Sequence, residues 1–136
     1  MAKKKYAARS GCPVVFFVDV FGDKWSLLIL RDVLFWQRKH YSEFLQAGEG
    51  IATNILADRL DKLEQLGLLK KAPDQQNLRQ YLYSPTEKAL DLIPFFIEMF
   101  CWSGKYDQQT AIPPQLLERY LEDRAAVEAE IRAQFA

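Results

Sequence analysis

Metal-binding and disulfide chemistry are nearly absent from this 136-residue chain. It has two cysteines, Cys12 and Cys101, far apart and without ligand spacing, and one histidine, His40. A four-ligand zinc site cannot be assembled from that set, and a structural disulfide is not expected in a reducing compartment. No apolar run approaches the roughly 18 residues of a membrane span. The apolar stretch 14–18 is interrupted by Asp19 and is too short for a signal segment, so the cytoplasm is the expected location and a membrane partner is not. There is no glycine-rich phosphate loop, no paired-carboxylate pattern and no nucleophile with a plausible base. Neither catalysis nor a cofactor or metal is expected.

Net charge is also missing, with 18 Lys and Arg against 18 Asp and Glu, which by itself argues against a nucleic-acid partner. Its distribution argues the other way. Residues 1–86 carry 13 basic and 9 acidic side chains, and residues 87–136 carry 5 and 9. The first part is mildly basic and the second acidic.

The basic part contains the stretch that organises the chain. Residues 42–47 read as a short helix with Phe44 and Leu45 inward. Gly48 and Gly50 supply a tight turn, and residues 53–66 read as a longer helix stopped by Gly67. Ile55, Leu56, Leu60, Leu63 and Leu66 give that helix an inward stripe. Two short strand-like runs follow, 68–71 and 79–83, flanking a polar tip at 73–77 that is expected to lie outside the core. Helix, turn, helix and basic hairpin is the order of a winged helix-turn-helix.

The flanking segments complete a mainly α fold with one small β-hairpin. Residues 1–11 read as a flexible basic arm, 12–104 as the winged domain, and 105–136 as a linker and a C-terminal helix expected to aid dimerisation. Cys12-Pro13 opens an over-apolar helix ended by Gly22, suited to burial or to an interface between chains. Asp23 is the expected cap of a helix over 24–35, with Trp25 as core and Arg31 and Asp32 on its polar side. Thr86 is expected to cap a helix over 87–102, kinked at Pro94 and ended by Gly104. Pro113-Pro114 opens a last helix over 115–134.

Two blocks carry a family resemblance. One is Cys12-Pro13 followed by Gly22-Asp23-Lys24-Trp25-Ser26-Leu27-Leu28-Ile29-Leu30. The other is Tyr41-Ser42-Glu43-Phe44-Leu45 followed by the leucine-rich run from Asn54 to Leu69. Together with Tyr83-Ser84-Pro85-Thr86 they resemble the HxlR-type family of bacterial winged-helix regulators. The resemblance implies a homodimer paired through its first and last helices, with two recognition helices on a palindromic operator in double-stranded DNA. Repression is the expected effect. The chain departs from the pattern at Ala52, where a Ser cap is frequent, at Ala89, where Gly is common, in its wing tip, and in its tail from Pro113.

Thr53, Asn54, Ala57 and Asp58 are the candidate base-contacting residues. Thr and Asn carry short groups that match base edges, Ala57 allows close approach, and Asp58 could accept from cytosine. Arg38, Lys39, Ser42, Arg59, Lys70, Lys71 and Arg79 are the candidate phosphate contacts. Arg59 could instead pair with Glu43 or Asp58, and His40 is expected to be a phosphate neighbour or a bystander. Cys12 has two readings. It is either a small buried hydrophobe or, as in some members the chain resembles, a thiol that senses oxidants or electrophiles; the positive end of a helix favours thiol reactivity. Cys101 is expected to be inert packing. Phe16, Phe95, Phe96, Met99, Phe100 and Trp102 either pack a core or dimer contact or line a small-molecule effector pocket. The rival function is a winged-helix module that docks another protein, which calls for an apolar or acidic surface around Thr53 and Asn54.

Overall fold

The computed structural model describes residues 10–136; most of the basic arm therefore lies outside the described residues. Its elements run α1 (Pro13–Phe21), α2 (Lys24–Phe35), α3 (Tyr41–Leu45), α4 (Thr53–Gln65), β1 (Leu69–Pro73), β2 (Tyr81–Pro85), α5 (Glu87–Leu90), α6 (Ile93–Tyr106), α7 (Pro114–Glu122) and α8 (Arg124–Ala133). The architecture is mostly helical with one antiparallel hairpin, a winged helix-turn-helix.

Helical periodicity explains the centre of the core. Ile29, Leu30, Val33 and Leu34 form the buried face of α2, and Leu56, Leu60 and Leu63 that of α4. Phe44 of α3 and Leu68, Leu69 and Tyr83 at the hairpin base join them. The strands pair from Leu69 with Pro85 to Pro73 with Tyr81, so the base is buried and the tip projects.

The second half departs from the expected helices at three places. The single helix over 87–102 is two helices, with Thr86 capping α5 as expected and Pro94 in the first turn of α6. A first turn has no intrahelical use for the missing proline N–H, so the chain restarts there instead of kinking. Gly104 does not end α6, which continues to Tyr106. A Cβ at that position would meet Leu117 Cδ2 at 2.9 Å, so the glycine admits α7. The expected helix over 115–134 is split at Asp123, which ends α7 and accepts the Ala126 N–H to cap α8.

The α7–α8 hairpin packs on its own chain. Tyr120 stacks on Phe100 with ring centroids 6.0 Å apart, and Cys101 is buried in the same core. Arg132 binds Asp91 at 2.8 Å, Glu87 at 3.1 Å and Glu128 at 2.9 Å. Gln37, in left-handed backbone with φ 56°, donates from its amide to Gln134 at 2.6 Å.

Asp23 ties α2 to α4. It accepts the Ser26 N–H at 2.9 Å, Arg59 Nε at 2.9 Å and Lys62 Nζ at 2.9 Å. Burial acts to raise its pKa, but Lys62, the Ser26 backbone, Arg59 and the Ser26 hydroxyl outweigh burial and hold it well below the usual carboxylate range. Its contribution to stability is therefore present above the unfolded carboxylate pKa and is lost as pH falls through the folded value. Asp23→Ala removes a helix cap and the half-buried partner of Arg59 and Lys62, and urea unfolding at neutral pH is expected to show a loss of about 1–2 kcal/mol. A loss within about 0.5 kcal/mol, the range of ordinary surface changes, would refute this role.

Candidate nucleic-acid interface

The turn between α3 and α4 uses Gly48 at φ 93° and Gly50 at φ 74°, conformations that side chains disfavour. It delivers α4 with its inner face on α2 and its outer face to solvent. Tyr41 reinforces the junction by donating its hydroxyl to the Thr53 carbonyl at 3.1 Å. Thr53, Asn54, Ala57, Asp58 and Asp61 are all exposed, at i, i+1, i+4, i+5 and i+8. Ala52 gives the helix no side-chain cap. Asp58 is paired with Arg59, and Asp61 accepts from Gln65 at 2.7 Å.

The structure divides the candidate cations into two groups. Arg38 bonds Asp32 at 2.7 Å, and Arg59 bonds Asp23 and Asp58, not Glu43. Lys39, Lys70, Lys71 and Arg79 are exposed, as is Ser42 on α3. Lys71 lies over the Tyr81 ring, its Nζ 4.2 Å from the centroid. Arg79 sits in the hairpin turn and not on a strand.

Two carboxylates expected at the surface are buried, and for the same reason. Asp32 is only 3% exposed because Arg31, at 2.8 Å and 3.0 Å, and Arg38 converge on its Oδ1 at the elbow between α2 and α3. Arg31 continues to Glu49 in the helix-turn-helix turn at 3.2 Å. Asp74, expected at a polar wing tip, turns inward to His40 Nε2 at 3.0 Å while accepting the Gln76 N–H at 2.9 Å.

His40 is therefore a structural bridge. Its Nδ1 lies 2.8 Å from Glu43 Oε1, and Glu43 also accepts the backbone N–H groups of His40 at 3.0 Å and Lys39 at 3.2 Å. The Lys39 carbonyl accepts the Tyr83 N–H at 2.8 Å, so elbow and wing are also joined through backbone. The hydrogen bond to Glu43 chiefly raises the His40 pKa, with Asp74 adding to it against burial. Burial opposes ionisation of Glu43, but His40 and the two backbone donors hold its pKa down. The Gln76 N–H and then His40 do the same for Asp74. Glu43, three residues after His40, reaches back to the His40 backbone N–H as the acidic half of a capping box does, the one signal in the sequence for this bridge. Between α3 and the hairpin lies a cleft of about 340 Å³ lined by His40, Tyr41, Ser42, Arg79, Tyr81 and Tyr83 among others.

Cys12 is exposed at the cap of α1. Val14, Phe16 and Val18 are also exposed, and Phe17 meets Phe95 of α6 at 4.9 Å between ring centroids. Phe95, Trp102 and Tyr106 of α6 are exposed as well. Phe96 instead lies in the chain's own core, Met99 and Phe100 are half-buried against it, and Trp25 is half-buried. Among the described residues, no helix is long and apolar enough to cross a membrane, and no group of three His, Cys, Asp or Glu could hold a metal.

Residues 20–111 match the HxlR-like helix-turn-helix family. The chain is 32% identical over 108 residues to the HTH-type transcriptional regulator YybR of Bacillus subtilis strain 168, covering 75% of this chain and 82% of YybR. It is 29% identical over 103 residues to the HTH-type transcriptional regulator MT3179 of Mycobacterium tuberculosis strain CDC 1551 / Oshkosh. That match covers 76% of this chain but spans only 64% of the relative's length. The solved structure of the redox regulator HypR in its reduced form superposes with a TM-score of 0.62 at 28% identity, covering 71% of this chain and 95% of HypR. Sequence, topology and these likenesses agree: the chain belongs to the HxlR-like helix-turn-helix family, and the relatives named here are regulators.

Proposed function

We propose that the protein is a transcriptional regulator that binds a palindromic operator in double-stranded DNA as a homodimer and represses from it in the cytoplasm. The observation that carries this reading is the outer face of α4, where Thr53, Asn54 and Ala57 stand exposed. Exposed Lys39, Lys70, Lys71 and Arg79 lie on the elbow and hairpin that adjoin it. A helix admitted to the major groove reads bases through short polar groups, and flanking cations supply affinity through phosphates. Lys39, Ser42, Lys70, Lys71 and Arg79 take the phosphate role. Arg38 and Arg59 position the motif through Asp32 and Asp23. Asp58 and Asp61 on the same face favour a second reading, docking of a basic protein surface, which predicts no binding to any duplex.

The second copy would cover exposed apolar side chains of α1, Val14 and Val18 on one side of the helix and Phe16 on the other, with Phe95 and Trp102 of α6. Cys12, exposed beside those of α1, would place an oxidant-sensitive thiol where modification alters pairing of the subunits. The likeness to HypR, a redox regulator, supports this control.

Binding to the duplex upstream of the protein's own gene, against scrambled DNA across a salt series, tests the reading. Asn54→Ala is expected to lower selectivity by about 1–3 kcal/mol at one base pair. Lys70→Ala should weaken binding to every sequence and reduce the salt slope by about one. Failure to bind any duplex would favour the docking module instead. Val18→Asp is expected to convert dimer to monomer in analytical ultracentrifugation, and an intact dimer would remove this face from the interface. Cys12→Ser should keep DNA binding but lose its response to diamide; a retained response would exonerate the thiol.

A further inference from the structure

We infer that His40 is a proton-operated latch holding the wing against the helix-turn-helix, so that operator binding is coupled to pH. This rests on the reading of α3, α4 and the hairpin as the DNA-binding surface. Both ring nitrogens of His40 face carboxylate oxygens, Glu43 at 2.8 Å on α3 and Asp74 at 3.0 Å in the hairpin turn. A carboxylate accepts and does not donate, so both bonds exist together only when the imidazole carries two N–H groups and a positive charge. The neutral ring has one N–H. It can satisfy one partner, and it then turns a lone pair toward the other carboxylate.

The two partners differ in what else holds them. Glu43 is fixed by the backbone N–H groups of Lys39 and His40 at the start of α3. Asp74 belongs to a turn whose other ties are internal to the hairpin: Gln76 N–H to its carboxylate, its own N–H to Gln80, and Asn77 N–H to its carbonyl. Deprotonation therefore keeps the Glu43 bond and opens the Asp74 bond, releasing the turn that carries Arg79. The other titratable groups around the cleft are Tyr41 on α3, Arg79 in the turn, and Tyr81 and Tyr83 on β2. Lys39 precedes His40 on the elbow, and Arg38 is engaged by Asp32. None of these cations or phenols ordinarily changes charge near neutrality, which leaves the imidazole as the group that titrates there.

The sign follows from the direction of each shift. His40 is raised, so its contribution is complete below the ordinary imidazole pKa and is lost as pH rises through the folded value. Glu43 and Asp74 are lowered, so theirs are present above the ordinary carboxylate range and are lost only in acid. The latch is closed between those limits. Linkage also requires that DNA, if it prefers the latched form, raises the His40 pKa in the complex.

The chain has one histidine, so its imidazole NMR signal is unambiguous in the full-length protein. The expected midpoint lies above about 6.5, the ordinary value. Asp74→Asn should lower it, because an amide oxygen accepts from the ring without stabilising its charge. Amide exchange of residues 74–80, measured without DNA and corrected for intrinsic pH dependence, should accelerate above the midpoint. Affinity for the duplex should fall about tenfold across the same range, the scale of one charge-assisted hydrogen bond, and His40→Gln should flatten that dependence. A midpoint at or below the ordinary value, or turn exchange indifferent to the titration, would overturn the latch. A titrating His40 with pH-independent DNA affinity would overturn its coupling to the operator. Absence of duplex binding at every pH would sink the DNA reading alone, because the DNA-free titration still decides whether the latch exists.

Discussion

The presentation of α4 depends on its attachment to α2, and that attachment has an apolar and a polar part. Leu56, Leu60 and Leu63 pack toward Ile29, Leu30, Val33 and Leu34, which fixes distance but tolerates some sliding, since apolar contact is non-directional. Asp23 removes that freedom. Its two oxygens serve the first turn of α2 and two cations on α4 together, so helix start, crossing and register are set at one carboxylate. With the inner face held, the rotation of α4 is settled, and with it the exposure of Thr53 and Asn54.

The same device recurs at Asp32 and at His40. Each is a partly or fully buried polar group satisfied by partners from different segments. Asp32 gathers Arg31 and Arg38 and, through Arg31, reaches Glu49 in the turn. His40 joins α3 to the hairpin. Charged hydrogen bonds are directional and are costly to break when buried, so they specify geometry where leucines alone would specify only proximity. The elbow is held in this way on both sides of Lys39, the exposed cation between Arg38 and His40.

The elements from α1 to β2 were legible because their signals are local and mutually consistent: Asp23 before an apolar stripe, Gly48, Gly50 and Gly67 at their turns, and leucines at helical spacing. Beyond Thr86 the local signals compete. Pro94 can kink a helix or begin one, and the outcome depends on whether the preceding residues are needed elsewhere in the core, as Ala89 and Leu90 are. Gly104 resembles a terminator until Leu117 is placed against it. Asp123 looks like a surface acid within a helix until its N–H partner at Ala126 is seen. The burial of Asp32 and Asp74 was illegible for a related reason: a carboxylate goes inside only where the fold turns donors onto it, Arg31 and Arg38 at the elbow for Asp32 and the distant His40 for Asp74, and sequence spacing does not show that meeting. The Glu43 half of the His40 bridge could be read from spacing; the Asp74 half, 34 residues away, could not.

The division of the cations resolves the apparent conflict between zero net charge and a DNA partner. A positive charge neutralised inside the chain contributes little to the field that phosphates meet, and an acidic group outside the footprint subtracts little beyond a Debye length of about 10 Å at 0.1 M salt. Arg31, Arg38 and Arg59 are spent on Asp32, Glu49, Asp23 and Asp58, while Arg119, Arg124 and Arg132 pair with acids of the second half. The exposed lysines of the elbow and β1, with Arg79, then remain available beside α4. A second copy placed on the α1–α6 face would double that surface on one duplex. Because counterion release scales with the number of phosphates neutralised, such a dimer would gain affinity from few cations per chain. In that arrangement the like charge of the acidic second half would discourage additional, nonspecific contacts with DNA outside the two copies of α4.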